Sequence, residues 1–111
     1  MVVYFKSARL QTVLNSEAKL LRKYGPDQAA KIKQRLAEIE AFESLVQLRD
    51  YPSARFHQLT ANRRGQYAID LLKSYRLILE PANDPLPMLP DGSVDLSKVT
   101  EIFIIEIVDY H

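Results

Sequence analysis

The alternation of polar and apolar positions divides the chain into a helical first half and a stranded second half. Val2-Val3-Tyr4-Phe5 is a run of β-formers and reads as a short first strand. Ser7 follows as a candidate helix cap, and from there Leu10, Val13, Leu14, Leu20, Leu21 and Tyr24 recur near helical spacing. Asn15-Ser16-Glu17 interrupts that run with cap-type residues, so the segment reads as one helix with a weak point or as two short ones. Gly25-Pro26 stops it, because glycine accepts the left-handed position beyond a helix end and proline cannot continue a helix. Asp27 is the next expected cap. The run behind it carries a stripe of Ala29, Ile32, Leu36, Ile39 and Phe42 or Glu43 between Lys, Arg and Glu, the pattern of an amphipathic helix lying on a sheet.

Beyond a loop at Tyr51-Pro52-Ser53 the period changes to two. Strands are predicted over 55–59, 66–72 and 75–80, separated by Ala61-Asn62-Arg63-Arg64-Gly65 and by Lys73-Ser74. Tyr75, Leu77 and Leu79 alternate with Arg76, Ile78 and Glu80, so Arg76 points away from the packed face, while Arg55, His57 and Leu59 share a face of their own strand. Residues 81–98 hold four of the six prolines and read as a long loop with a tight turn at Asp91-Gly92. The last strand, predicted over 100–109, is apolar at both parities, which suggests an interior strand covered on both sides. Two helices cannot alternate with that many strands. The expected class is therefore α+β, a small antiparallel sheet with a mixed edge and two N-terminal helices packed on one face. The other face is free to carry chemistry.

At 111 residues and 47% hydrophobic composition the chain reads as one domain over 1–111. It has no cysteine, so disulfides and thiolate metal sites are excluded. The apolar runs are too short for a signal peptide or a membrane span, and the expected location is the cytoplasm. The net charge is only +1, but it is unevenly spread. Arg49, Arg55, Arg63, Arg64, Lys73 and Arg76 stand against Asp50 and Asp70, a local net of +4. Residues 80–111 carry seven acids and Lys98, a net of −6. A basic strip on a balanced protein suits a polyanionic partner met over a limited surface. The same charges also read as solvated faces that neutralise each other across a sheet.

Both histidines fall in or beyond this strip, His57 within it and His111 in the closing Asp109-Tyr110-His111. A histidine pair beside arginines matches the needs of ribonucleolytic cleavage. A base takes the proton of a ribose 2′-OH, an acid protonates the departing 5′-oxygen, and cationic donors stabilise the phosphorane between them. Histidine serves either proton transfer near neutral pH, arginine offers a planar fork to phosphate oxygens, and tyrosine can stack on a base. That chemistry requires no metal and no cofactor. Dinucleotide, phosphate-loop and serine-hydrolase motifs are all missing from the sequence.

These pieces, in their order, resemble the HigB branch of the RelE/ParE superfamily of type II toxins, the plasmid maintenance killer proteins. The resemblance covers nearly the whole chain. It rests on Leu21-Arg22-Lys23-Tyr24-Gly25, Arg55-Phe56-His57-Gln58-Leu59, Arg63-Arg64-Gly65-Gln66-Tyr67, Tyr75-Arg76-Leu77-Ile78 and the final Asp109-Tyr110-His111. It implies a RelE/ParE-like fold and a ribosome-dependent endonuclease that cuts mRNA by 2′-OH attack. It also implies a neutralising, HigA-like antitoxin with a helix-turn-helix. By matching position it implies His57, Arg76, Tyr110 and His111 as catalytic residues. Arg63 or Arg64 matches the arginine of the turn, and Arg55 and Lys73 complete an RNA-binding strip. The sequence departs from relatives that carry a lysine shortly after the His-x-Leu motif, where Thr60 stands here, and its 81–98 loop is longer than in compact members. The superfamily also contains toxins that inhibit DNA gyrase by binding alone, which is the alternative function.

Overall fold

The structure is a computed structural model that describes residues 1–110. In chain order it contains β1 (Val2–Phe5), α1 (Ala8–Leu14), α2 (Glu17–Ala41), α3 (Leu45–Arg49), β2 (His57–Gln58), β3 (Tyr67–Asp70), β4 (Tyr75–Pro81) and β5 (Glu101–Asp109). The five strands form one sheet in the order β1-β5-β4-β3-β2. β1 runs parallel to β5 and every other pair is antiparallel, so the fold is α+β with a mixed edge.

Local chemistry explains the helix boundaries. The Ser7 hydroxyl accepts from the Leu10 amide and the Ser16 hydroxyl from the Lys19 amide, both at 3.2 Å, so the weak point separates two capped helices. Gly25-Pro26 interrupts α2 without ending it. Gly25 takes φ +81, a conformation open to glycine, and helix resumes at Pro26. Asp27 therefore lies inside the resumed first turn rather than capping it. Two further expectations are corrected here. Leu21 faces solvent instead of joining the stripe, and Ser44 opens a short α3 that the periodicity did not mark.

The register sorts the sheet residues by face. Tyr67, Leu79 and Ile104 form one cross-strand row and Ile69, Leu77 and Ile107 another. These rows meet Leu20, Ala29, Ile32 and Ile39 of α2 and Leu45 and Leu48 of α3 in a single core. Each fully buried Leu or Ile contributes about 1.5–3 kcal/mol, so this one face supplies most of the driving force. The opposite face carries the rows His57, Ala68, Ile78, Glu106 and Asp70, Arg76, Val108.

β5 is interior, as expected, but the reason for its mixed parity is different. Leu79 pairs Ile104 while Ile78 pairs Glu106, so Ile105 is an extra residue in a β-bulge. Before the bulge the even positions Ile102 and Ile104 enter the core; after it Ile107 does. The apolar residues at both parities reflect this change of phase, not cover on both sides. The bulge also delivers Glu106 to the helix-free face.

The strand predicted over 55–59 shrinks to His57–Gln58. Pro52–Ala54 forms a 3-10 turn, and Arg55 ends it in the left-handed region at φ 49, ψ 63, so pairing begins only after it. The long loop folds back on itself. Leu89 and Ser93 bond at 2.8 Å and Asp95 bonds Pro87 at 2.9 Å around the expected turn, where Gly92 sits at φ +89. Among the described residues, no helix is long and apolar enough to cross a membrane.

Candidate functional site

Three short elements bring the candidate residues to the helix-free face. β2 carries His57 outward opposite Ala68 of β3. The β3–β4 hairpin turns around Lys73, which takes a left-handed φ of 56, and this register sets Asp70 directly across from Arg76. Arg55 enters from its left-handed position at the end of the 3-10 turn.

Asp70 is the hub. Its Oδ1 lies 2.8 Å from Arg76 Nε and 3.6 Å from His57 Nε2, and its Oδ2 lies 3.2 Å from Arg55 Nε. Asp70 is largely shielded, while Arg55 remains 71% exposed and His57 46% exposed. Oδ1 is closed off from solvent, yet Arg76 reaches it as an ion pair without the alignment of a hydrogen bond. A buried acceptor without an aligned donor costs roughly 1–3 kcal/mol, so the neighbouring cations are what make this carboxylate tolerable.

The hub is fixed from the helix side. Arg35 of α2, 4% exposed, donates from Nε to the Asp70 carbonyl at 2.9 Å and from Nη2 to the Ser53 carbonyl at 2.6 Å. Its Nη1 meets Glu38 at 2.7 Å. Gln28, one turn-pair earlier on the same helix, holds the backbone of Leu72 in both directions, at 2.9 and 3.2 Å. Partial burial alone would push the Glu38 carboxyl up. Hydrogen bonds from Gln34, Arg35 and Tyr51, with the Arg35 charge, outweigh that and hold it below the usual value. Two buried polar side chains of one helix thus anchor both flanks of the hub, the end of β3 and the turn that leads to Arg55.

The other expected residues have different surroundings. Arg63 is tied to Glu106 at 2.5 Å and to Gln66 at 3.0 Å. It ties the loop before β3 to β5, where Glu106 ends a row with Ala68 and Ile78. Ile78 is fully buried although it stands apart from the main core. Burying Ile78 is worth about 2 kcal/mol, and a half-exposed ion pair such as Arg63–Glu106 less than about 1. Arg64 is exposed, its guanidinium forms no hydrogen bond or ion pair with a described residue, and it borders a cleft of about 410 Å³ with Gln58, Tyr67, Ser93 and Leu96. Lys73 is exposed at the hairpin tip, where its carbonyl accepts from Arg76 Nη1. Tyr110 is exposed and its amide donates to the Ser74 carbonyl at 2.9 Å, which sets it beside the first residues of β4. His111 lies outside the described residues.

The structure therefore gathers Arg55, His57 and Arg76, and leaves Arg63, Arg64 and Lys73 around them. The basic strip is less free than its count suggests. Arg49 pairs Asp50, Arg55 and Arg76 share Asp70, and Arg63 pairs Glu106. The last of these is the cross-sheet neutralisation that the acidic C-terminal segment made possible. Sequence reasoning counted Asp70 only as a charge and passed over Arg35, Gln28 and Glu106. A hairpin centred on Lys73 would have placed Asp70 opposite Arg76; nothing in the helix pattern marks Arg35 as buried. Chemically, the cluster offers guanidinium and imidazole N–H donors on a shallow, open face, which suits a phosphodiester better than an enclosed small molecule. No protein-family model matches the chain, and a search of curated proteins likewise finds no match.

Proposed function

We propose that this chain is the toxin of a type II toxin–antitoxin pair, an endoribonuclease that cleaves mRNA on the ribosome. The observation that carries the reading is the gathering of His57, Arg76 and Arg55 around one carboxylate on the face that the helices leave open. The likeness of their sequence segments to HigB toxins adds the direction. In this reading the ribose 2′-OH gives its proton to one histidine and its oxygen bonds to phosphorus. The P–O5′ bond breaks and the 5′-oxygen takes a proton from the other. The products are a 2′,3′-cyclic phosphate and a 5′-OH, and no water is consumed. His57 and His111 share the two proton transfers, Arg76 with Arg55 holds the phosphate, and Tyr110 orients the base or His111. Arg64 and Lys73 contact flanking phosphates. The work is cytoplasmic, with the ribosome and mRNA as targets and a HigA-like helix-turn-helix antitoxin as partner.

The test is a defined mRNA in a purified translating ribosome complex, with 5′ ends mapped and free mRNA run beside it. The expected result is new 5′-OH ends on the ribosome only. His57→Ala should lower the rate about 10²–10⁴-fold and Arg76→Ala about 10²–10³-fold, with both variants folded. Growth arrest without any new 5′ end, from folded protein, would replace this reading with the gyrase-binding one.

A further inference from the structure

We infer that Asp70 is a positioning residue that turns Arg55 and Arg76 into a two-arginine fork for a phosphodiester. The inference rests on the nuclease reading for its substrate but on geometry of its own. Both arginines meet Asp70 through Nε, at 3.2 and 2.8 Å, on opposite oxygens of the same carboxylate. These are ion pairs, at Arg76 without the alignment of a hydrogen bond, so charge attraction draws each Nε edge toward the carboxylate. Arg76 Nη1 is occupied by the carbonyls of Lys73 and Tyr75, at 3.3 and 3.1 Å. Among the described residues, Arg76 Nη2 and both terminal nitrogens of Arg55 make no hydrogen bond. Three N–H-bearing nitrogens thus border one patch beside His57, whose Nε2 lies 3.6 Å from the same carboxylate.

Two further observations say that this arrangement is held in place. Arg55 sits in the left-handed region at φ 49, a conformation that non-glycine residues seldom adopt. The carbonyl of Asp70 is bound by buried Arg35, which also binds the carbonyl of Ser53, two residues before Arg55. Helix α2 therefore fixes the backbone at Asp70 and the approach of one arginine together. Two guanidinium charges against one carboxylate leave a net positive patch, so Asp70 orients the cations without cancelling them.

Charge and position make opposite predictions for Asp70→Asn. Removing a negative charge alone would tighten RNA binding and preserve the rate. Losing the orientation lowers the rate at saturation and leaves the half-saturating concentration unchanged or lower. On programmed ribosomes we expect the saturated cleavage rate of Asp70→Asn to fall at least about tenfold, the scale of misplaced positioning groups, and Asp70→Glu to recover part of it. Thermal melts confirm that each variant is folded. A saturated rate within twofold of the unmodified protein would overturn the inference while the nuclease reading stands.

A second measurement does not depend on cleavage. The side-chain N–H signals of Arg55 and Arg76 are followed by NMR while inorganic phosphate is added. The inference expects the terminal Nη signals to move and both Nε signals to stay where Asp70 holds them. Nε signals that move to their positions in Asp70→Asn would mean that phosphate displaces the carboxylate, and would overturn the inference. Unmoved Nη signals would overturn it as well. If the unmodified protein cleaves nothing, the nuclease reading falls and this titration alone decides the role of Asp70.

Discussion

Replacing Arg35 by methionine should be the most damaging single change in the helical layer. The guanidinium makes three hydrogen bonds at 2.6–2.9 Å, two to backbone carbonyls and one to Glu38. Charged hydrogen bonds are worth roughly 1.5–3 kcal/mol each, so a plain sum would reach about 4.5–9 kcal/mol. That sum is too large. Methionine refills the apolar part of the site, and Glu38 keeps its bonds from Gln34 and Tyr51. What remains is the cost of leaving one side of a buried ion pair, about 3–5 kcal/mol. For a chain of this size that lowers the melting temperature by roughly 12–20 °C. Arg35→Lys keeps the charge without the three-way fork and should fall between the two. The assay is urea unfolding with linear extrapolation, checked by thermal melts. A loss below about 1 kcal/mol for Arg35→Met would refute the reasoning, because the three contacts could then not be the ones that order the Asp70 and Ser53 carbonyls.

Other expectations are smaller in scale. The Glu38 carboxyl is held below its ordinary value of 4.5, so its contribution to stability is present above that value and is lost as pH falls through the lower, folded one. Glu38→Gln lacks that contribution, so it should be less stable at neutral pH and its stability should fall less steeply in acid than that of the unmodified protein, and parallel pH profiles would contradict this. Burial raises the hydroxyls of Tyr24 and Tyr67 above 10.0, with Tyr75 adding to the first. The neutral forms are favoured in the fold, so stability should be intact below pH 10.0 and decline as pH rises through the folded values. Absorbance titration of phenolate would show three late tyrosines, the third being Tyr4, raised by its hydrogen bond to Glu101, and their absence would remove the claim. Ser16→Ala removes the cap that separates α1 from α2 and should cost about 1 kcal/mol by urea unfolding, with helix content nearly unchanged.

Elements whose logic is local were legible in the sequence. The first strand, the two serine caps and the turn at Asp91-Gly92 follow from residue type within a few positions. So did the outward aim of Arg76, which needs only the period of two. The features that escaped depend on partners distant in the chain. Pro52 and the left-handed Arg55 shorten β2, and that turn is held by buried Ala54 and by the bond from Arg35 to the Ser53 carbonyl. Arg35 reads as one more charge on a helix surface, and its burial is decided by carbonyls 18 and 35 residues away. Asp70 reads as a minor offset to a basic strip until the fold sets it between Arg55 and Arg76 and beside His57. The site was thus recognisable by its cations and not by the carboxylate that organises them.

The bulge at Ile105 divides β5 into two segments that answer to different constraints. Upstream, the strand serves β1 and the helical core; downstream, it serves the row that holds Glu106 and the end of the chain next to β4. A saturation scan of the strand should accordingly show tolerance that swaps phase midway. Even positions resist polar replacement as far as Ile104, and beyond the bulge the odd position Ile107 does. A single added residue thus uncouples the two ends, so the open face can vary in sequence without a compensating change in the packed one.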